Sequence, residues 1–214
     1  MNEHIDEQQL IDQLHEEADA DVPSDKAPDI GIIMGSDSDF DVMMGDGEND
    51  GAYDALMELG FGEVTTYGEP TEETFTFESW VVSAHRTPDL MYAYGKTASE
   101  RGLDVIIAGA GGKSADLPNM TASIAYPLPV IGVPVQEKSV PSVIGMPTGA
   151  PIVAVDAGKS FYAALFAVQI LARKHNELTE RLEAYHDQLK TSVSEVSREM
   201  HQSTTPEFRR RDES

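Results

Sequence analysis

The chain has 214 residues, 40% hydrophobic and 25% charged, with 17 glycines and a net charge of −23, enough for one globular α/β domain with a sizeable core and tails. It contains no cysteine, which excludes disulfides, thiolate metal sites and a cysteine nucleophile and leaves histidines and carboxylates for chemistry. No window reaches the roughly 18 unbroken apolar residues of a membrane span, and the acidic N-terminus lacks the basic and apolar regions of a signal peptide, so a cytoplasmic protein without a membrane partner is expected.

The acidity is regional. Residues 1–80 hold 23 Asp and Glu against one basic residue, Lys26, whereas residues 81–214 hold 15 acidic and 14 basic residues. Such a surface repels phosphate backbones, so no nucleic-acid partner is expected, and it suits solubility at high ionic strength.

In chain order, residues 1–27 carry a weak helical pattern, Ile5, Leu10, Ile11 and Leu14, followed by a charged stretch with Pro23. They read as an acidic extension, mobile or loosely docked. "DIGIIMG" is a short apolar run ending in glycine, and the same shape returns at "ESWVVSA", "DVIIAGAGG", "LPVIGVPV" and "PIVAVDA", predicting five buried strands. Helical patterns fall between them at about Asp39–Leu59, Pro88–Arg101 and Asp116–Ala125, so alternating strands and helices predict a parallel sheet covered on both faces. From Lys159 to Thr205 neither Gly nor Pro interrupts, and Leu171, Leu178, Leu182, Tyr185, Leu189, Val193, Val196 and Met200 recur at helical spacing. That predicts a long amphipathic C-terminal helix, or two joined near His175–Asn176, whose stripe would cover a neighbouring subunit. The chain thus divides into an extension (1–27), an α/β domain (28–175) and a helix with its tail (176–214).

In open parallel sheets ligands bind beyond the carboxyl ends of the strands. After the first strand stands "MGSDSDF", where Gly35 permits a tight turn and Ser36 and Ser38 offer hydroxyls beside a helix start; ordinary helix capping explains the same residues. After the second comes "SAHRTP", with Pro88 suited to a first helical position. After the third comes "AGAGGKSADLP", whose glycines allow a ligand close to the backbone. A phosphate-binding loop would need glycine where Ile107 stands, and a dinucleotide fingerprint would need it at Ser114. "DGENDG" resembles the start of a calcium loop, but Glu48 and Met57 stand at ligand positions they do not suit. A phosphate held by Arg86, Ser36 and helix N–H groups would leave His85 facing the other end of the ligand, able to move a proton near neutral pH.

The combination "GSDSD", "SAHRTPD", "AGAGG", "PVIGVPVQ", "MPTGAPI" and "ALFAVQILA" resembles the 5-(carboxyamino)imidazole ribonucleotide mutases, the PurE family of purine biosynthesis, over about Asp29 to Ala172. The resemblance implies a flavodoxin-like three-layer α/β sandwich assembled as a homo-octamer. It implies an isomerase that moves the carboxylate of a ribonucleotide from the exocyclic nitrogen to ring carbon 4, with no metal or organic cofactor. It further implies His85 as proton carrier, Arg86 and Ser36 at the phosphate, and Asp39 at the ribose or as a helix cap. Ser83 and the backbone of Ala108, Gly109, Ala110, Gly111 and Gly112 would line the carboxylate and CO2 pocket. Two alternatives stand beside it. One is a carboxylase using free CO2, whose members resemble "SAHKT" and "AGRSN" where this chain has "SAHRT" and "AGAGG". The other is a non-catalytic nucleotide-binding protein on the same fold. The chain departs from the pattern in acidic inserts between Asp39 and Ser83, in Asp116 near the position of a second family histidine, and in a shorter segment between Gln136 and Met146.

Overall fold

A computed structural model describes residues 6–210; Ile5 of the expected helical pattern and the ends of the extension and tail lie outside the described residues. Six parallel strands form one sheet in the order β2-β3-β1-β4-β5-β6: β1 (Ile30–Met34), β2 (Gly62–Glu63), β3 (Thr76–Val81), β4 (Val105–Ala110), β5 (Val130–Pro134) and β6 (Val153–Ala154). The fold is the expected three-layer α/β sandwich, with one strand more than the five predicted. The additional one is β2, only two residues long at the sheet edge, too short to show a period.

Each central strand sends alternate side chains to opposite faces. Ile30, Ile32 and Met34 of β1 and Val105 and Ile107 of β4 join one core; Ile33, Ile106 and Ala108 join the other. The first core is covered by α2 (Phe40–Met44), α3 (Ala52–Glu58), α7 (Ser160–Leu171) and the start of α8 (Asn176–Gln202). The second is covered by α1 (Glu7–Asp19), α4 (Pro88–Thr97), α5 (Leu117–Ile124) and α6 (Val140–Ile144). A short α9 (Thr205–Arg210) follows.

One helical expectation changes and two open alternatives are resolved. The single helix expected over Asp39–Leu59 is two, because Gly45 (φ 107°) and Gly47 (φ 84°) take the left-handed backbone that ends a helix. The intervening acidic loop folds on Asp46, whose Oδ1 accepts the backbone N–H of Glu48 and Asn49. The C-terminal run is the expected pair of helices joined near His175–Asn176: α7 is apolar and packed, then the chain turns at 172–175 and α8 leaves the core. Leu178 is buried, but Leu189, Val193 and Met200 are exposed. Finally, the N-terminal segment is docked, with Leu14 fully buried among the residues of α4. Among the described residues no helix is long and apolar enough to cross a membrane.

The docking rests on a buried charge cluster. Arg101, just after α4, is 0% exposed and donates both terminal nitrogens to Glu78 of β3, each at 2.8 Å. Nη1 also reaches Glu17 of α1 at 3.2 Å, and Tyr94 O–H donates to Glu78 at 2.8 Å. Burial alone would lower the guanidinium pKa, but the Glu78 charge outweighs it and holds it up. Removing the cation leaves Glu78 buried and unpaired, so Arg101→Met should cost about 3–5 kcal/mol in urea unfolding, and an apolar double replacement with Glu78→Leu should recover most of that loss. A single variant as stable as wild type would show that water reaches Glu78.

Asp29, just before β1, accepts the Thr76 backbone N–H at 2.7 Å. Burial pushes its carboxyl up to about 6 from 3.8; the Thr76 amide opposes this and nearby Asp104 adds to it. The folded state therefore holds the proton longer than the unfolded one, and stability falls as pH rises from about 4 through about 6. Asp29→Asn keeps an acceptor without the charge. It should be more stable than wild type by about 1–3 kcal/mol at about pH 7.5 and indistinguishable at about pH 3.5, measured by denaturant unfolding at both.

Candidate active site

Because β1, β3, β4 and β5 are parallel, their carboxyl ends open on one edge of the sheet, and the four loops there enclose a cavity of about 490 Å³. A larger depression of about 570 Å³ between α7 and α8 lies away from these strand ends.

The first loop is drawn onto β4 by Gly35 N–H donating to Gly109 O at 3.1 Å. A 3-10 turn, Asp37–Asp39, then starts α2 and directs Asp39 inward, 6% exposed. Burial pushes the Asp39 carboxyl up from its ordinary range, against the backbone amides of Gly111, Ser36 and Gly35 and the charge of Arg86. One carboxylate thus binds the first and third loops together, and a Cβ at Gly111 would lie 2.8 Å from Asp39 Oδ1. Ser36 and Ser38 share a 2.6 Å hydroxyl contact at the cavity wall.

The second loop closes on itself. Ser83 N–H donates to Thr87 Oγ1 at 2.9 Å, Arg86 N–H donates to Ser83 Oγ at 3.2 Å, and Pro88 opens α4. This places His85 and Arg86 at the rim, both exposed. Arg86 Nη2 donates to Gly35 O at 3.0 Å, spanning the first two loops. His85 Nε2 lies 3.1 Å from Asp116 Oδ2, at the start of α5.

The third loop contributes Ala110, Gly111 and Gly112, the last at φ 84° with open space where a Cβ would stand. Ala108 and Gly109 do not line the cavity. They lie within β4, Ala108 at 0% exposure and Gly109 against Met43, where a Cβ would come within 2.1 Å of the sulfur. The expected backbone lining therefore begins at Ala110, the last residue of β4, because the strand residues before it are covered by the helices on either face.

The structure brings Ser36, Ser38, Asp39, Ser83, His85 and Arg86 to one cavity and adds Gln136 and Lys138. The last two sit in the loop after β5; the rule that each parallel strand end supplies a loop would have found them, since "PVIGVPVQEKS" is visible in the sequence. Sequence alone assigns Asp116 only a place in the chain; its contact with His85 comes from tertiary packing. Arg86 and Lys138 place two cations at this cavity, beside the buried Asp39, in a chain of net charge −23, which suits an anionic ligand.

Comparison with known proteins bears on the whole α/β region. Residues 29–192 match the family model described as AIR carboxylase. An N5-carboxyaminoimidazole ribonucleotide mutase of Thermotoga maritima is 40% identical over 181 residues, 82% of this chain and 93% of that protein. The protein of the same name from Aquifex aeolicus is 45% identical over 162 residues, 73% of this chain and 84% of its own. The crystal structure of Treponema denticola PurE superposes with a TM-score of 0.62 at 20% identity, covering 80% of this chain and 97% of that one, a likeness of fold. A family match over most of the sheet and its loops, together with relatives at this identity, shows that the chain belongs to the AIR carboxylase family.

Proposed function

We propose that the protein is an isomerase of purine biosynthesis, converting N5-carboxyaminoimidazole ribonucleotide to its 4-carboxy isomer. The observation that carries this reading is the meeting of His85 and Arg86 with the Ser36 and Gly111–Gly112 loops at one cavity, in a chain 40% identical to a mutase over 82% of its length.

The chemistry follows from the substrate. An N-carboxylate is a carbamate, and breaking its N–C bond returns the electron pair to nitrogen and frees CO2. Protonated His85 supplies the proton that nitrogen takes up. The ring carbon, made nucleophilic by the amino group, then forms a C–C bond to the CO2 held beside it, and neutral His85 removes the proton from that carbon. One proton is given and one regained. Holding CO2 in the cavity replaces capture from solution, a gain of proximity. In this reading Arg86 and Ser36 bind the phosphate, Asp39 holds the first and third loops in place beside the ribose, and Ser83 with the Gly112 amide stabilises the migrating carboxylate. Lys138 adds charge for the anionic substrate. The exposed Leu189, Val193 and Met200 of α8 support assembly as a homo-oligomer, an octamer by resemblance.

The rival reading, suggested by the family description, is a carboxylase of aminoimidazole ribonucleotide using dissolved CO2. Turnover of the carbamate with labelled CO2 in high-salt buffer separates the two. A mutase places little external label in early product and needs neither ATP nor added bicarbonate, whereas full labelling from the first turnovers would establish the carboxylase. His85→Asn should lower kcat at least about 100-fold with substrate still bound. Arg86→Ala should chiefly raise KM, because a charge-assisted phosphate contact acts equally in ground and transition states; unchanged affinity would place the phosphate elsewhere.

A further inference from the structure

Asp116 stands immediately before α5, where an aspartate ordinarily accepts the free N–H groups of the first turn. Here its side chain makes no capping hydrogen bond. Both oxygens are used elsewhere: Oδ2 lies 3.1 Å from His85 Nε2, and Oδ1 accepts the Ser142 hydroxyl at 2.6 Å. Ser142 belongs to α6 and is held in turn by Asn119 of α5, whose Nδ2 donates to the Ser142 carbonyl at 2.8 Å. A chain of polar contacts therefore runs from α5 to α6, back to Asp116, and out to the rim of the cavity.

The histidine at its end needs such a support. Its side chain is 58% exposed, and an imidazole with that much freedom samples several ring orientations. From these contacts we infer that Asp116 is the positioning residue of His85, with Ser142 fixing the carboxylate from behind. A carboxylate only accepts hydrogen bonds, so the neutral ring must carry its proton on Nε2, leaving Nδ1 free to take a proton. Among the described residues Nδ1 has no protein partner. Asp116 does not exchange protons with the substrate in this arrangement; it holds the group that does. The inference rests on the reading of His85 as the proton carrier and adds to it which ring nitrogen works and what orients it.

The test uses the full-length protein and the variants Asp116→Ala and Asp116→Asn. Asparagine keeps a carbonyl acceptor for Nε2–H, and its amide can donate to Ser142, so it preserves the geometry without the charge. Kinetics with the carbamate substrate should show kcat reduced about 10-fold in Asp116→Ala with KM within about twofold, and Asp116→Asn should recover most of that loss, since the cost of lost orientation falls on the reacting geometry. Proton NMR of 15N-labelled protein, with His85 identified by comparison with His85→Gln, should show a hydrogen-bonded ring Nε2–H in wild type and Asp116→Asn that disappears in Asp116→Ala. An unchanged ring N–H signal in Asp116→Ala, a kcat equal to wild type, or an asparagine variant as slow as the alanine one would each overturn the inference. The NMR signal is readable whether or not the carbamate is the substrate. Failure of the proposed reaction would appear instead as absent wild-type turnover. Asp116→Ala also removes the acceptor of the Ser142 hydroxyl, so a small fall in its melting temperature is expected, and both kinetic and NMR measurements are made well below that transition.

Discussion

The arrangement of the molecule depends on β1 being hydrogen-bonded on both sides, Ile30 to Met34 registering with Phe77 to Val81 of β3 and with Val105 to Gly109 of β4. All three run the same way, so each must end at the same edge, and the loops that leave them have no choice but to converge there. A parallel sheet cannot return by a hairpin; its crossovers lay helices on both faces, which is why neither face of β1 or β4 meets water. The cavity is thus a topological consequence of the sheet, filled in by whichever side chains the loops carry.

Two buried carboxylates show how the same physical cost is met for different ends. Glu78 is paired with Arg101 and touched by Tyr94, a cluster that fastens α1 and α4 to β3 far from the cavity. Asp39 has no direct ion pair and is met by backbone amides of two loops. The first is a matched pair whose value lies in specifying one docking of the N-terminal helix. The second joins the loops after β1 and β4 and leaves Arg86 free to span to Gly35 and face the ligand.

The acidic surface and the cationic cavity are complementary rather than contradictory. Acidic residues crowd the exposed loops, as in Asp46 to Asp50, where their hydration keeps the chain soluble. Arg86 and Lys138 gather at the cavity, where a small anion would otherwise be repelled by the rest of the chain. Screening by salt weakens the long-range repulsion more than contacts made within the cavity.

The sequence alone determined the layers. Short apolar runs ending in glycine and alternating with helical periods leave a parallel sheet as the way to bury both faces, and the motif residues at the strand ends mark the edge where chemistry gathers. It also placed His85 beside Arg86, since they are neighbours in the chain. It could not show β2, two residues long, nor the break at Gly45–Gly47, where a backbone φ rather than a side-chain pattern ends the helix. It extended the lining to Ala108 and Gly109, because spacing along a strand does not reveal which residue is the last to be covered. The contacts of Arg101 with Glu17 and Glu78, and of Asp116 with His85 and Ser142, join segments 23 to 84 positions apart. Local periodicity carries no information over such distances. Only the packing of helices on the sheet decides which of many exposed-looking charges become partners.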